Sequence, residues 1–298
     1  MLSMLLLLAW LGAEIMPPPM PVRQISPSTQ PVPGEEVRIV NRGDNFTLYL
    51  PPGWETHPTA GTVLTVHFHG AAWFAIQEHR RRGIYEPLLC FSPGEGSRIY
   101  GKAFEDEGRF GELLGEIERE LAGRLGRQTT LEAVNITSFS AGYGAVREIV
   151  KSPKYVARLR RVILADSMYA GYDPASTQPG ATSRPLDPHI DMWAALARRA
   201  MDGEMTFVVT YSMVPTAPRY ASSSDCARAV VEKVGLQPAR VEPGSIPAAS
   251  DPDYPLIERS GRGGFHAWGY GGTDAGAHMT HPRHIADIWK ACDAAGLP

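Results

Sequence analysis

Cysteine is scarce in this chain: Cys90, Cys226 and Cys292 are the only three in 298 residues, and none forms a CxxC pair. That excludes a disulfide-built scaffold and the paired-cysteine zinc modules. One internal disulfide is the most the chain could form, leaving one thiol over. Basic runs are missing too, apart from Arg80-Arg81-Arg82, which reads as a solvated helix face, and the net charge is −3. No nucleic-acid partner is expected from such a balance. No apolar run reaches the roughly 20 residues a spanning helix needs, so no stable membrane span is expected. No glycine-rich dinucleotide fingerprint appears, and no cofactor is expected.

What is present suits one sizeable core, with 43% hydrophobic and 20% charged residues. Residues 1–16 (MLSMLLLLAWLGAEIM) carry a short apolar run that reads as a signal peptide, with Ala13 as a cleavage position. Export to a periplasmic or extracellular space follows from that reading, and a cytoplasmic location follows if the segment is not a signal. Residues 17–34 are dense in proline, which builds neither helix nor central strand, and read as an extended linker. Residues 35–298 then form a single domain.

Within it, 37–40 and 46–50 read as an antiparallel pair, and 62–68 (TVLTVHF) as a buried strand. Strands are also expected at 88–91, 131–137, 161–165 and 206–211. Helices are expected at 110–125, 142–150, 187–201, 225–234 and 282–295. This alternation predicts an α/β fold: a mostly parallel central sheet flanked by helices on both faces. Sites in such sheets lie at the carboxyl ends of the strands.

Three segments carry chemistry. The strand at 131–137 runs into Ser138-Phe139-Ser140-Ala141-Gly142-Tyr143-Gly144 and then a helix. A serine on a sharp turn among small residues, with strand before and helix after, resembles the nucleophile elbow of the α/β-hydrolase family. The family pattern is Gly-x-Ser-x-Gly, and Ser138 stands here in place of the first glycine. The resemblance implies Ser140 as nucleophile and the Ala141 amide as an oxyanion donor. His67-Phe68-His69-Gly70-Ala71-Ala72-Trp73 resembles the family's early His-Gly loop, implying a second donor from Ala71 or Ala72. His69 and Gly70 would support that loop rather than react.

The family's base sits in a loop before the last helix, which implies His278, with His281 and then His266 as alternatives. The acid is Asp166, at the end of the 161–165 strand, or alternatively Asp225, which also looks like a helix cap. Together these imply a serine hydrolase cleaving a small-molecule or polymer-linked carboxylic ester through an acyl-enzyme. Trp73, Tyr143, Tyr169, Tyr172, Trp268 and Tyr270 lie near the site loops and suit aryl or sugar-linked acyl groups, or merely pack those loops. Residues 168–184 read as a lid or cleft rim. Two rival readings remain open. His67, His69, His278, His281 and His284 could serve a metal-dependent hydrolase, or the fold could be a decayed scaffold kept for binding.

Overall fold

Runs of β-branched and apolar residues with no charged side chain are suited to strands covered on both faces. The two cleanest, β3 (Val63–Phe68) and β7 (Thr206–Tyr211), are buried at every position. The computed structural model describes residues 15–28, 30, 32–174, 184–242 and 253–298. The first strands are β1 (Glu35–Asn41), β2 (Asp44–Leu50) and β4 (Leu88–Phe91), followed by β5 (Ala133–Phe139) and β6 (Leu159–Ala165). The chain closes the sheet with β8 (Ala239–Arg240), β9 (Leu256–Arg262) and β10 (Phe265–Tyr270). They form one ten-stranded sheet in the order β1-β2-β4-β3-β5-β6-β7-β10-β9-β8. The six central strands, β4 to β10, are parallel, and both ends of the sheet are antiparallel.

Helices cover both faces. On one lie α2 (Ser97–Phe104), α3 (Glu107–Leu125), α4 (Tyr143–Ile149), α6 (Asp187–Met201) and α7 (Ser223–Lys233), over a core that includes Leu64, Val66, Val162 and Val209. The longest, α3, begins at Asp106, whose carboxylate accepts from the Gly108 amide at 2.8 Å, and ends at Gly126 in the left-handed region. On the opposite face are α1 (Ala72–Arg81) and α9 (Ile285–Ala294). The one-turn α5 (Pro153–Val156) and α8 (Ala275–Thr280) complete the set. This is the α/β-hydrolase fold: a mostly parallel sheet with helices on both faces.

Several expectations need correction. The hairpin of β9 and β10 is absent from the sequence reading, and α1 and α2 are not among its helices. The final helix starts at Ile285, after a 3-10 turn over Pro282–His284. The run 80–82 is not a solvated face throughout. The Arg82 side chain is 2% exposed, bonds Glu86 at 2.9 Å, and lies 3.1 Å from the Trp289 ring centroid. Arg161 approaches the same ring at 4.6 Å, so two cations lie against this indole. All three cysteines are buried free thiols.

The proline-rich stretch has no helix or strand over 15–28, as its prolines require, yet it does not hang free. Ile15 and Met20 are buried against Trp268, Tyr270 and Trp289. The Tyr270 hydroxyl donates to the Pro18 carbonyl at 2.8 Å, and Arg23 donates to the Arg283 carbonyl at 2.7 Å. Residues 1–14, which hold most of the proposed signal segment, lie outside the described residues, as do 175–183 of the expected lid.

Candidate active site

Three adjacent parallel strands end in step. The ladders pair Phe68 with Ser138 and Phe139 with Ala165, so β3, β5 and β6 finish side by side. The residue after each end, His69, Ser140 and Asp166, takes a positive φ of 72°, 45° and 44°. Among the described non-glycine residues, only Arg42 in the β1–β2 turn shares this conformation. Left-handed backbone costs an ordinary residue about 1 kcal/mol or more, and surrounding structure must impose it. Three such residues sit together on neighbouring strand ends, where sites in sheets of this kind lie.

The elbow at Ser140 is pinned from below. The Ser167 hydroxyl donates to the Ser140 carbonyl at 2.9 Å, which leaves the Ser138 hydroxyl to donate into Ser167 at 2.7 Å. Serine in place of the first glycine of the Gly-x-Ser-x-Gly pattern is therefore accommodated by a buried hydrogen-bond chain. Gly142 and Gly144 permit the close approach. A Cβ on the first would sit 2.3 Å from the Phe68 carbonyl oxygen, and on the second 2.2 Å from that of Ser97.

Asp166 is 1% exposed and accepts three hydrogen bonds. They come from His278 Nδ1 at 2.7 Å, the Ser212 hydroxyl at 2.6 Å and the Ser212 amide at 3.2 Å. Burial pushes its carboxyl up. The His278 hydrogen bond, the charges of His281 and His278 and the Ser212 hydroxyl outweigh it, holding the pKa below the ordinary value. His278 sits in α8 rather than in a loop, and its ring lies 4.6 Å from that of Phe139. The Asp274 carboxylate caps α8 by accepting from the Ala277 amide at 2.8 Å.

Ser140, Ala141 and His278 line one cleft of about 730 Å³, together with His69, Glu95, Ser97, Tyr143, Tyr169, Thr216 and Tyr220. Asp166 stands behind His278. The expected Ala71 and Ala72 do not line this cleft; Ala71 caps α1 and Ala72 begins it. The Gly70 amide donates to Ser92 at 3.3 Å. Of the aromatics named from sequence, Tyr143 and Tyr169 reach the cleft, whereas Trp268 and Tyr270 are buried in β10.

Asp225 is occupied elsewhere. Its carboxylate accepts from the Ser222 amide at 3.0 Å and its own amide donates to the Ser222 hydroxyl at 3.1 Å, a reciprocal cap on α7. Ser212, Ser167 and Tyr220 were missed by sequence reasoning. Ser212 carried one signal: it is the first residue after a strand, as Asp166 is the first after the neighbouring strand.

The other histidines are separately committed. His67 contacts Thr137 through Nδ1 and the His69 carbonyl through Nε2, each at 2.8 Å, bracing the early loop. His281 bonds Thr210 at 2.8 Å, and His284 bonds Asp287 at 2.6 Å. Among the described residues, no three His, Cys, Asp or Glu side chains converge as metal ligands.

Burial lowers the pKa of His67 and His281 to about 4 and that of His79 to about 3. Between pH 6.5 and those values the unfolded chain binds protons that the native state refuses. Stability is therefore fully present above pH 6.5 and lost as pH falls, at about 1.4 kcal/mol per unit for each histidine. Three such groups should make the urea midpoint drop steeply between pH 6 and 4.5. A flat profile over that window would mean the histidines protonate within the native state.

No protein-family model matches the chain, and no curated protein matches it in sequence. Solved structures do match. An uncharacterised protein from Capnocytophaga ochracea superposes with a TM-score of 0.51 at 8% identity, over 87% of this chain and 63% of that one. A siderophore hydrolase from Aspergillus nidulans gives 0.48 at 12% identity, covering 88% and 97%. The enterobactin esterase of Shigella flexneri gives 0.47 at 11% identity, covering 89% and 61%. The chain thus spans under two thirds of the length of the first and third of these. At such identities the likeness is one of fold.

Proposed function

We propose that this protein is a serine hydrolase that cleaves carboxylic esters through an acyl-enzyme on Ser140. The observation that carries the reading is the 2.7 Å contact between Asp166 and His278, made behind a cleft that Ser140 and His278 line together. Asp166 accepts the Nδ1 proton of His278, which leaves the Nε2 lone pair to take the proton of Ser140 as its oxygen attacks the ester carbonyl. The developing oxyanion meets the Ala141 amide and a second donor, the Ala71 or Ala72 amide. One such donor contributes about 10²–10³-fold in kcat in comparable sites. The protonated base then passes its proton to the leaving alcohol. Water, activated by the same histidine, releases the acid.

The test is covalent. A fluorophosphonate should label the folded protein at one site, located by peptide mass spectrometry to Ser140. Both the label and ester turnover should vanish in Ser140→Ala. A folded protein that takes no label, or takes it at another residue, would sink the proposal.

A further inference from the structure

We infer, on the basis of the serine-hydrolase reading, that the cleft selects esters whose acyl or alcohol portion carries hydroxyl donors, with His69 Nε2 as the acceptor that reads one of them. The proton count of the wall carries the argument. The Tyr100 hydroxyl donates its only proton to the Gly94 carbonyl at 3.0 Å. Its 2.8 Å contact with His69 Nδ1 therefore has the ring as donor. That places the imidazole proton on Nδ1 and a lone pair on Nε2. No described protein donor meets Nε2, and it is not among the buried unpaired atoms, while His69 itself lines the cleft. Burial, with the nearby charge of His278, lowers the His69 pKa and keeps the ring neutral. An unprotonated Nε2 cannot serve an oxyanion; it can only accept.

The neighbouring hydroxyls point the same way. Tyr143 donates to Ser97 at 3.0 Å, Tyr169 to the Asp166 carbonyl at 3.1 Å, and Thr216 to the Tyr220 carbonyl at 2.6 Å. The protons of these three hydroxyls are committed within the wall and Glu95 adds a carboxylate, while Ser97 and Tyr220 are the hydroxyls whose own protons these contacts do not use. With His69 Nε2, Glu95, Tyr143, Tyr169 and Thr216 set against the Ser97 and Tyr220 hydroxyls, acceptors outnumber hydroxyl donors on this wall, which favours a ligand that brings donors. A deoxy ester displaces water from Nε2 and returns nothing, which should lower kcat/KM about 10–100-fold. The positive φ at His69, the same backbone device that presents Ser140 and Asp166, presents this ring.

The experiment compares kcat/KM for matched plain, hydroxylated and O-methylated esters, with the substituent on the acyl side in one arm and the alcohol side in the other. At least one hydroxylated ester should exceed both partners about tenfold or more, and the arm in which it appears identifies the side. That ratio should fall to near one in His69→Phe, whose ring can still stack on Phe139 but offers no lone pair. Equal rates for hydroxyl and O-methyl throughout, or a preference that survives His69→Phe, would overturn the inference. The O-methyl comparison needs only the wild-type protein, so a misfolded variant leaves it standing. No turnover of any ester, with no label at Ser140, would instead remove the hydrolase reading and this inference with it.

Discussion

Replacing Asp166 by asparagine should lower kcat about 10⁴-fold while the protein stays folded. The expectation follows from which atoms around this carboxylate can only donate. The Ser212 backbone amide faces Oδ1 at 3.2 Å, and an N–H cannot accept, so the asparagine carbonyl must take that side. The amide NH2 is then forced into the Oδ2 position, 2.7 Å from His278 Nδ1. The Ser212 hydroxyl can rotate to accept from it, which is why the fold should survive. His278 has no such freedom. It must turn a lone pair toward the amide, which moves its own proton to Nε2, the atom that receives the proton of Ser140 in the proposed mechanism.

The measurement is kcat on a simple ester beside the thermal midpoint of the same sample. Wild-type turnover in Asp166→Asn would remove Asp166 from the acid role. Asp225→Asn is the matched control: its partners are Ser222 and its own helix, so turnover should hold. Stability should fall by about 1 kcal/mol, as for a lost cap.

How much of this could be read from the chain differs from residue to residue. The approach to Ser140 was legible because AVNITSF is an uninterrupted strand and the next residues are small, a local pattern. The place of Asp166, directly after the next strand at the carboxyl end of the sheet, was legible in the same way. The hairpin of β9 and β10 was not, because its composition contradicts its role. LIERSGR is charged and half exposed, fitting a strand near the edge of the sheet, and FHAWGY carries a glycine that reads as a break. Gly269 is there because a Cβ would lie 2.6 Å from the Tyr211 ring, a fact of tertiary packing. Ser167 was invisible, and Ser212 showed no more than its place after a strand, for a related reason. Each acts through a partner on a neighbouring strand, and only the register of β5, β6 and β7 brings those partners together. At the early loop the His-Gly pair was legible as a strand end, but that His69 lines the cleft depends on the fold around it.

Gly142→Ala should be among the most damaging single-methyl changes in the described residues. The elbow needs strand and helix closer than a side chain allows. The added Cβ would stand 2.3 Å from the Phe68 carbonyl oxygen, 2.7 Å from its carbon and 2.7 Å from Ser138 Oγ. Phe68 closes β3 in the middle of the sheet and is fully buried, so that carbonyl cannot retreat without moving the strand end that also sets His69. Overpacking of this kind costs about 3 kcal/mol or more when backbone must shift. That is a large share of the roughly 5–15 kcal/mol available to a domain.

Ser138→Gly separates the two neighbours of the elbow. It breaks the chain through Ser167 to the Ser140 carbonyl, a loss of about 1 kcal/mol, and should leave a folded protein with slower acylation. Combining the two changes should not rescue Gly142→Ala, because the Phe68 carbonyl remains in place when the Ser138 hydroxyl is gone. Soluble yield, the urea midpoint and fluorophosphonate labelling of the three variants would decide it. A Gly142→Ala protein with a wild-type midpoint and full labelling would mean that the elbow is looser than its contacts require.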